Sequence, residues 1–357
     1  MFTAFQRSDV SSKIDIMTNT IKNVGQIIIL FQFKNYYLFL VMGLGAEVLK
    51  NLLVYRVAQK TFPEYKPQGT IAKEQRKEIF QHVKSLFLSK IGGIIVNSVD
   101  TIVISAVLGI TMLGIYQNYF YIISSVSSIV IIMYRSCVAG IGNKLILEGA
   151  DKSYESFEHL SFAVIWICCI CCSCFLGFFQ PFIRVWVGQD MLLEYGMVVL
   201  FCLFFYVFQI MGLSSAYEDA AGIWHYDRYR PLLEALLNFG LNLIMVQYMG
   251  LYGILLSTIL SMALFSWPWL LHNLFRRMFQ RSMKPYLFRF AGWISSAIFA
   301  NGIVAYLCKD QMIKTVGDVI WRAGICIVVP GVFLLIGYGR SENIKWLKNL
   351  AIRMIRK

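Results

Sequence analysis

Apolar positions run along this chain in long blocks separated by short polar breaks. Most blocks hold about 18–25 residues, the length that a helix rising 1.5 Å per residue needs to cross a hydrocarbon core roughly 30 Å thick. They fall at residues 16–33, 36–57, 86–138 (two segments joined through 109–114), 160–179, 191–213, 232–248, 254–271, 290–307 and 319–338. The pattern predicts an all-α, polytopic membrane protein of about ten transmembrane helices.

The pair at 86–138 is the most informative, because each segment carries a polar stripe that a purely lipid-facing helix lacks. Lys90, Gly93, Asn97, Asp100, Thr101 and Ser105 share one broad face of the first. Gln117, Tyr121, Ser124, Ser128 and Arg135 align within about 60° on the second at 100° per residue. Two such stripes facing each other predict a hydrated cavity. An Asp near the bilayer centre costs roughly 2.5–3.5 kcal/mol on insertion scales, so Asp100 marks either a transport pathway or a structural interhelical pair. Lys90 and Arg135 lie near helix ends and can alternatively snorkel to water.

Elsewhere charge enters the apolar blocks in three places. The first hairpin carries Lys22 on one helix and Glu47 with Lys50 on the other, the last two an i,i+3 ion pair or secondary lining of a pathway. Glu234, Asn238 and Asn242 recur at i,i+4 steps on one face after Pro231, which suits the first turn of a helix. The 58–84 connection is polar, with Pro63 and Pro67. From Thr70, Ile71, Gln75, Ile79 and Val83 recur beside Phe80 at helical spacing, predicting an interfacial helix in a linker. Residues 109–114 are expected to form the central link and 142–158 a polar loop. Gly250–Gly253 is expected to turn, and Pro268 to kink its helix. The tail alternates Ile344, Leu347, Leu350, Ala351 and Met354 with Lys345, Lys348, Arg353 and Arg356, a basic helix for an anionic leaflet.

Composition agrees: of 357 residues 58% are hydrophobic and 15% charged, too apolar for a soluble domain. The net charge of +13 does not point to nucleic acid. The Lys and Arg residues sit in loops that, alternated across ten spans, gather on one side, so both termini are predicted cytoplasmic. The polar N-terminus has no signal-peptide core, and insertion is expected to begin with an internal span. Five of nine cysteines, Cys168, Cys169, Cys171, Cys172 and Cys174, share one apolar run and read as soft hydrophobes rather than metal ligands. His82, His159, His225 and His272 are dispersed, and solvated or interfacial positions are expected for them. No catalytic triad, HExxH or phosphate-cradling loop is present, so neither an enzyme nor a cofactor or metal is indicated.

Several ordered motifs carry a resemblance: Asp100-Thr101-Ile102-Val103-Ile104-Ser105, Gly109, Gly114-Ile115-Tyr116-Gln117-Asn118-Tyr119, Gly142-Asn143 and Trp186-Val187-Gly188. They continue with Ala221-Gly222, Asp227-Arg228-Tyr229-Arg230-Pro231, Glu234-Ala235, Asn238, and Gly250-Leu251-Tyr252-Gly253 with Thr258. Together they resemble the bacterial polysaccharide (Wzx-type) flippases of the multidrug/oligosaccharidyl-lipid/polysaccharide exporter superfamily over nearly the whole chain. The resemblance implies a MATE-like fold, two helix bundles around a cavity open alternately to each side. Aligned by its motifs, the chain starts near the family's fifth helix, so the N-terminal bundle is truncated and the first four helices are missing. Residues 1–57 would then be the remnant of that bundle and 58–84 the cytoplasmic linker. Residues 85–275 would form the C-terminal six-helix bundle, and 276–357 two extra spans with the basic tail.

The implied activity is movement of a polyprenyl-pyrophosphate-linked oligosaccharide from the cytoplasmic to the outer leaflet of the bacterial cell membrane. Implied partners are that lipid, membrane lipids, a glycan polymerase and glycosyltransferases. On this reading Asn97, Gln117, Ser124, Ser128, Asn238 and Asn242 meet sugar hydroxyls, Lys90 and Arg135 meet pyrophosphate, and Asp100 couples to H⁺ or Na⁺. Tyr116, Tyr119 and Tyr121 are available to stack on sugars, with packing or interface roles as the alternative. Competing readings are a drug or cation exporter of the same fold, which would favour acidic cavities, a membrane polymerase or acyltransferase, and a non-functional partial gene product.

Overall fold

The computed structural model describes residues 8–64, 98–135, 138–309 and 315–355, with isolated positions 72, 73, 75, 76, 80 and 87. The described residues form helices and connecting turns. Two compact units divide the chain at 79/80.

The first unit is a hairpin of α1 (Ser8–Gln32) and α2 (Tyr36–Thr61). Its reversal needs only Lys34, at φ 47, and Asn35, whose Oδ1 accepts from the amides of Tyr37 (2.9 Å) and Leu38 (3.3 Å) to cap α2. The helices touch at Gly25, against Met42, and through Gln26 Nε2, which donates to the Phe39 carbonyl at 3.1 Å. Lys50 lies 3.8 Å from Glu47, but its nearer partner is Asp15 at 3.0 Å, a cross-helix bridge that the sequence reading did not anticipate. Lys22 is half-buried on α1.

The second unit runs from α3 (Ser98–Leu108) through α4 (Ile110–Arg135), α5 (Val138–Trp186), α6 (Tyr195–Ala221), α7 (Arg230–Met249), α8 (Leu251–Met278), α9 (Lys284–Cys308), α10 (Val316–Tyr338) and α11 (Glu342–Ile355). Helix α5 is its central stave, apolar almost all round and packed on α6, α9 and α10. Aromatic rings fill the joints: Tyr119 stacks on Phe201 (5.9 Å between centroids), and Phe157 meets Tyr217 edge-on at 4.9 Å. At one end Tyr119 donates to Gln180 Oε1 (3.1 Å) and accepts from the Leu193 amide (3.0 Å), tying α4, α5 and the following turn together.

Single glycines replace two of the expected connections. The central link is Gly109 alone, at φ 90, and residues 110–114 already belong to α4. The expected 142–158 loop is helix on both sides of Gly149, whose φ 84 and ψ −175 turn the chain without ending it. At the expected Gly250–Gly253 turn, Gly250 (φ 55) makes the reversal, while Gly253 allows close approach: a Cβ there would fall 2.3 Å from the Met245 carbonyl oxygen. Pro268 lies inside α8, and the wide turns of Ser261–Ser266 precede it. The Trp267 amide reaches back five residues to the Met262 carbonyl.

Eight described helices are long and apolar enough to span a bilayer, with α3 a short apolar ninth, against the ten expected. Helix α1 falls short because Asn19, Lys22, Asn23 and Gln26 break up its apolar run, and residues 88–97 of the first central segment lie outside the described set. Most of the 58–84 linker does as well.

Candidate functional site

Helix α7 presents Arg230, Glu234, Asn238 and Asn242 at four-residue steps, and all four are buried. An apolar bundle tolerates such a column only if each polar group finds a partner, and here α3, α8 and the turn before α7 supply them.

Asp100 of α3 stands at the deep end. Its Oδ1 accepts from Asn242 Nδ2 at 2.7 Å, and its carboxylate accepts the Thr258 hydroxyl at 2.9 Å through Oδ2. Thr258 in turn accepts from Asn238 Nδ2 (2.9 Å), and Asn242 Nδ2 also lies 3.2 Å from Asn238 Oδ1. Ser257 donates to Asn242 Oδ1 at 2.5 Å. One carboxylate therefore joins three helices through two amides and a hydroxyl. Beside it lies a cleft of about 50 Å³ whose polar edge is Asp100, Thr101, Gln117 and Thr258. That volume holds a few waters and no sugar.

Arg230 anchors the other end of the column. Its Nε lies 2.7 and 2.8 Å from the two Asp227 oxygens, its Nη2 2.7 Å from Oδ2, and its Nη1 3.3 Å from Glu234 Oε2. Ser266 of α8 donates to Glu234 Oε2 as well. Glu218, from the end of α6, is buried beside the group, with Oε1 unbonded among the described residues. Sequence spacing placed Glu234 on a pathway; in the structure it is enclosed in this ionic knot.

Of the residues singled out from sequence, Asp100, Asn238 and Asn242 meet directly, and Gln117 joins their edge by donating to Thr101 Oγ1 at 3.4 Å. Lys90 and Asn97 lie outside the described residues. Tyr121, Ser128 and Arg135 point outward from α4, and Ser124 and Ser128 donate to carbonyls of their own helix. Tyr116 and Tyr119 are core residues packed on Phe201, in the packing role given as their alternative, while Tyr121 is exposed near Trp186. His159, expected at a wet edge, is buried under α11 instead. Its Nδ1 lies 2.6 Å from Asn343 Oδ1 and its ring stacks on Trp346. Cys168, Cys169 and Cys172 are fully buried core groups. Thr258 and Ser266 were not expected to bind the column, and Arg322, away from it, was not singled out at all. Buried in α10, Arg322 donates to the Gly177 (2.8 Å) and Cys308 (3.1 Å) carbonyls.

Comparison with known proteins adds two findings. The model of a family described as polysaccharide biosynthesis protein matches residues 4–139. Among solved structures, "Lipid II flippase MurJ, inward closed conformation" superposes with a TM-score of 0.55 at 17% identity, covering 90% of this chain. The chain spans 66% of that flippase's length. No curated protein matches. The polysaccharide-flippase resemblance read from the motifs is thus met again, and the chain is a multi-pass membrane protein with a MurJ-like fold.

Proposed function

We propose that the chain works as a flippase for a lipid-linked oligosaccharide, moving a polyprenyl-pyrophosphate-linked sugar from the cytoplasmic to the outer leaflet. The observation carrying this is the buried polar column on α7, closed by Asp100 and Thr258, in which a carboxylate, two amides and a hydroxyl bond to one another across three helices. Amides and hydroxyls alone would tie these helices together, whereas a carboxylate at this depth adds an insertion cost that a transporter uses, because it needs a charge whose partners can be exchanged. Asp100 is the coupling residue on this reading. Taking up H⁺ or Na⁺ competes with the bonds from Asn242 and Thr258, and so biases the packing of α3 against α7 and α8. Arg135, exposed at the end of α4, and Lys90 supply the cations for pyrophosphate. The acids Asp227 and Glu234 are tied to Arg230, which disfavours a drug exporter with an open acidic cavity.

The test is restoration of surface glycan in a flippase-deficient host, followed by transport in vesicles with imposed H⁺ or Na⁺ gradients. The chain is expected to restore export, and Arg135→Ala combined with Lys90→Ala to abolish it. Asp100→Asn is expected to lower gradient-driven transport at least about tenfold. No restoration by the unaltered chain removes the flippase reading; an unchanged gradient response in Asp100→Asn removes only the coupling role.

A further inference from the structure

Where α8 meets α9, an open cleft of about 730 Å³ is lined by His272, Arg276, Gln280, Arg281, Ser282 and Met283, with the buried ring of Phe275 behind it. The chain turns there at Gln280, φ 52, and the Arg281 amide donates back to the Phe275 carbonyl at 3.1 Å. The Phe279 amide answers the Leu274 carbonyl at 2.9 Å, so two carbonyls at this helix end are met by backbone amides.

The charges around the cleft are unevenly used. Arg281 is committed, 2.7 Å from Asp151 and over the Tyr154 ring at 4.2 Å, and Arg277 lies over Tyr226 at 4.3 Å. Arg289 takes Glu158 at 2.9 Å. Arg276 is exposed, without an ion pair or ring among the described residues, and Lys284 likewise has no acid. Among the described residues the five cations Arg276, Arg277, Arg281, Lys284 and Arg289 thus have two acids within salt-bridge distance, Asp151 and Glu158, at the end of an apolar helix, where the bilayer surface would lie.

We infer that this cleft binds the phosphate ester of an anionic membrane lipid, with Arg276 as its principal cation. A guanidinium, an amide and a hydroxyl are hydrogen-bond donors suited to phosphate oxygens. The cleft opens at the end of a helix of bilayer-spanning length, the level at which lipid phosphates are held, and that placement favours a lipid phosphate over a free ion. Basic pockets at helix ends on the cytoplasmic side are the expected form of such sites. The inference rests on the bilayer-spanning reading and not on the flippase reading.

Native mass spectrometry of the full chain in detergent, titrated with phosphatidylglycerol or phosphatidylcholine, tests it. One saturable phosphatidylglycerol adduct is expected, absent with phosphatidylcholine and retained in millimolar sodium pyrophosphate. Arg276→Glu is expected to weaken it about tenfold or more and Lys284→Gln about threefold, with melting temperatures unchanged. Arg184→Gln, at the other end of α5, is expected to leave it intact. Equal binding of both lipids, or an Arg276→Glu variant that binds normally, overturns the proposal. Displacement by pyrophosphate also overturns it, reassigning the cleft to soluble phosphates.

Discussion

Arg230 holds two carboxylates in an apolar bundle, so its removal strands both Asp227 and Glu234 at once. Breaking a buried pair from one side costs about 3–5 kcal/mol, and Arg230→Ala should fall in that range. Glu234→Gln leaves Asp227 on the guanidinium and keeps an acceptor for Ser266, so it should cost no more than about 1–2 kcal/mol. Thermal unfolding of the purified variants checks the order, and equal losses would mean that the two acids do not share the arginine as described. The i,i+4 polar spacing of Glu234, Asn238 and Asn242 stands out in an otherwise apolar sequence, and so does Asp100. Thr258 and Ser266 do not, because a lone hydroxyl in a helix can satisfy itself on a preceding carbonyl, as Thr258 also does on Ile254 at 3.2 Å. Arg322 is answered by backbone carbonyls, which no pattern of side chains announces.

Elements in this chain are joined by backbone conformation more than by loops, and here the sequence misleads in one direction. Polar residues around 142–158 suggest a surface connection. Yet residues on both sides keep helical hydrogen bonding, and only Gly149 leaves it, at φ 84 and ψ −175. That region is essentially confined to glycine, so Gly149→Ala should lose about 1–3 kcal/mol. Gly240 is the control: it lies within α7, and a Cβ there meets nothing within 4 Å. Gly240→Ala should be neutral or stabilising by up to about 1 kcal/mol. Melting temperatures that fall equally for both would show that the chain does not need the backbone conformation described at Gly149. Gly212 adds a packing case, since a Cβ there would lie 2.2 Å from the Tyr134 hydroxyl oxygen. Gly212→Val should separate α4 from α6 at about 1–3 kcal/mol. Close approaches of this kind are set by the partner helix and leave no local signature.

At the scale of the molecule, charge asymmetry predicts an orientation. The end of the second unit that carries Arg228, Arg276, Arg277, Arg281 and Lys284 also carries α11 with Lys345 and Lys348, docked on α5 through Asn343 and His159. The opposite end, around Trp186 to Glu194, offers Arg184 and the acids Asp190 and Glu194. Positively charged loops are retained in the cytoplasm, so the first end should face inward and the second outward. Single introduced cysteines can decide this, because the native cysteines among the described residues are buried or half-buried in the bundle and should react slowly. In intact cells a membrane-impermeant maleimide should label Gln189→Cys, and should label Arg228→Cys at least about tenfold faster after permeabilisation than before it. The reverse pattern would turn the molecule over. It would place the α8–α9 cleft at the outer leaflet and make Arg135, at the far end of α4, an exit rather than an entry contact for pyrophosphate.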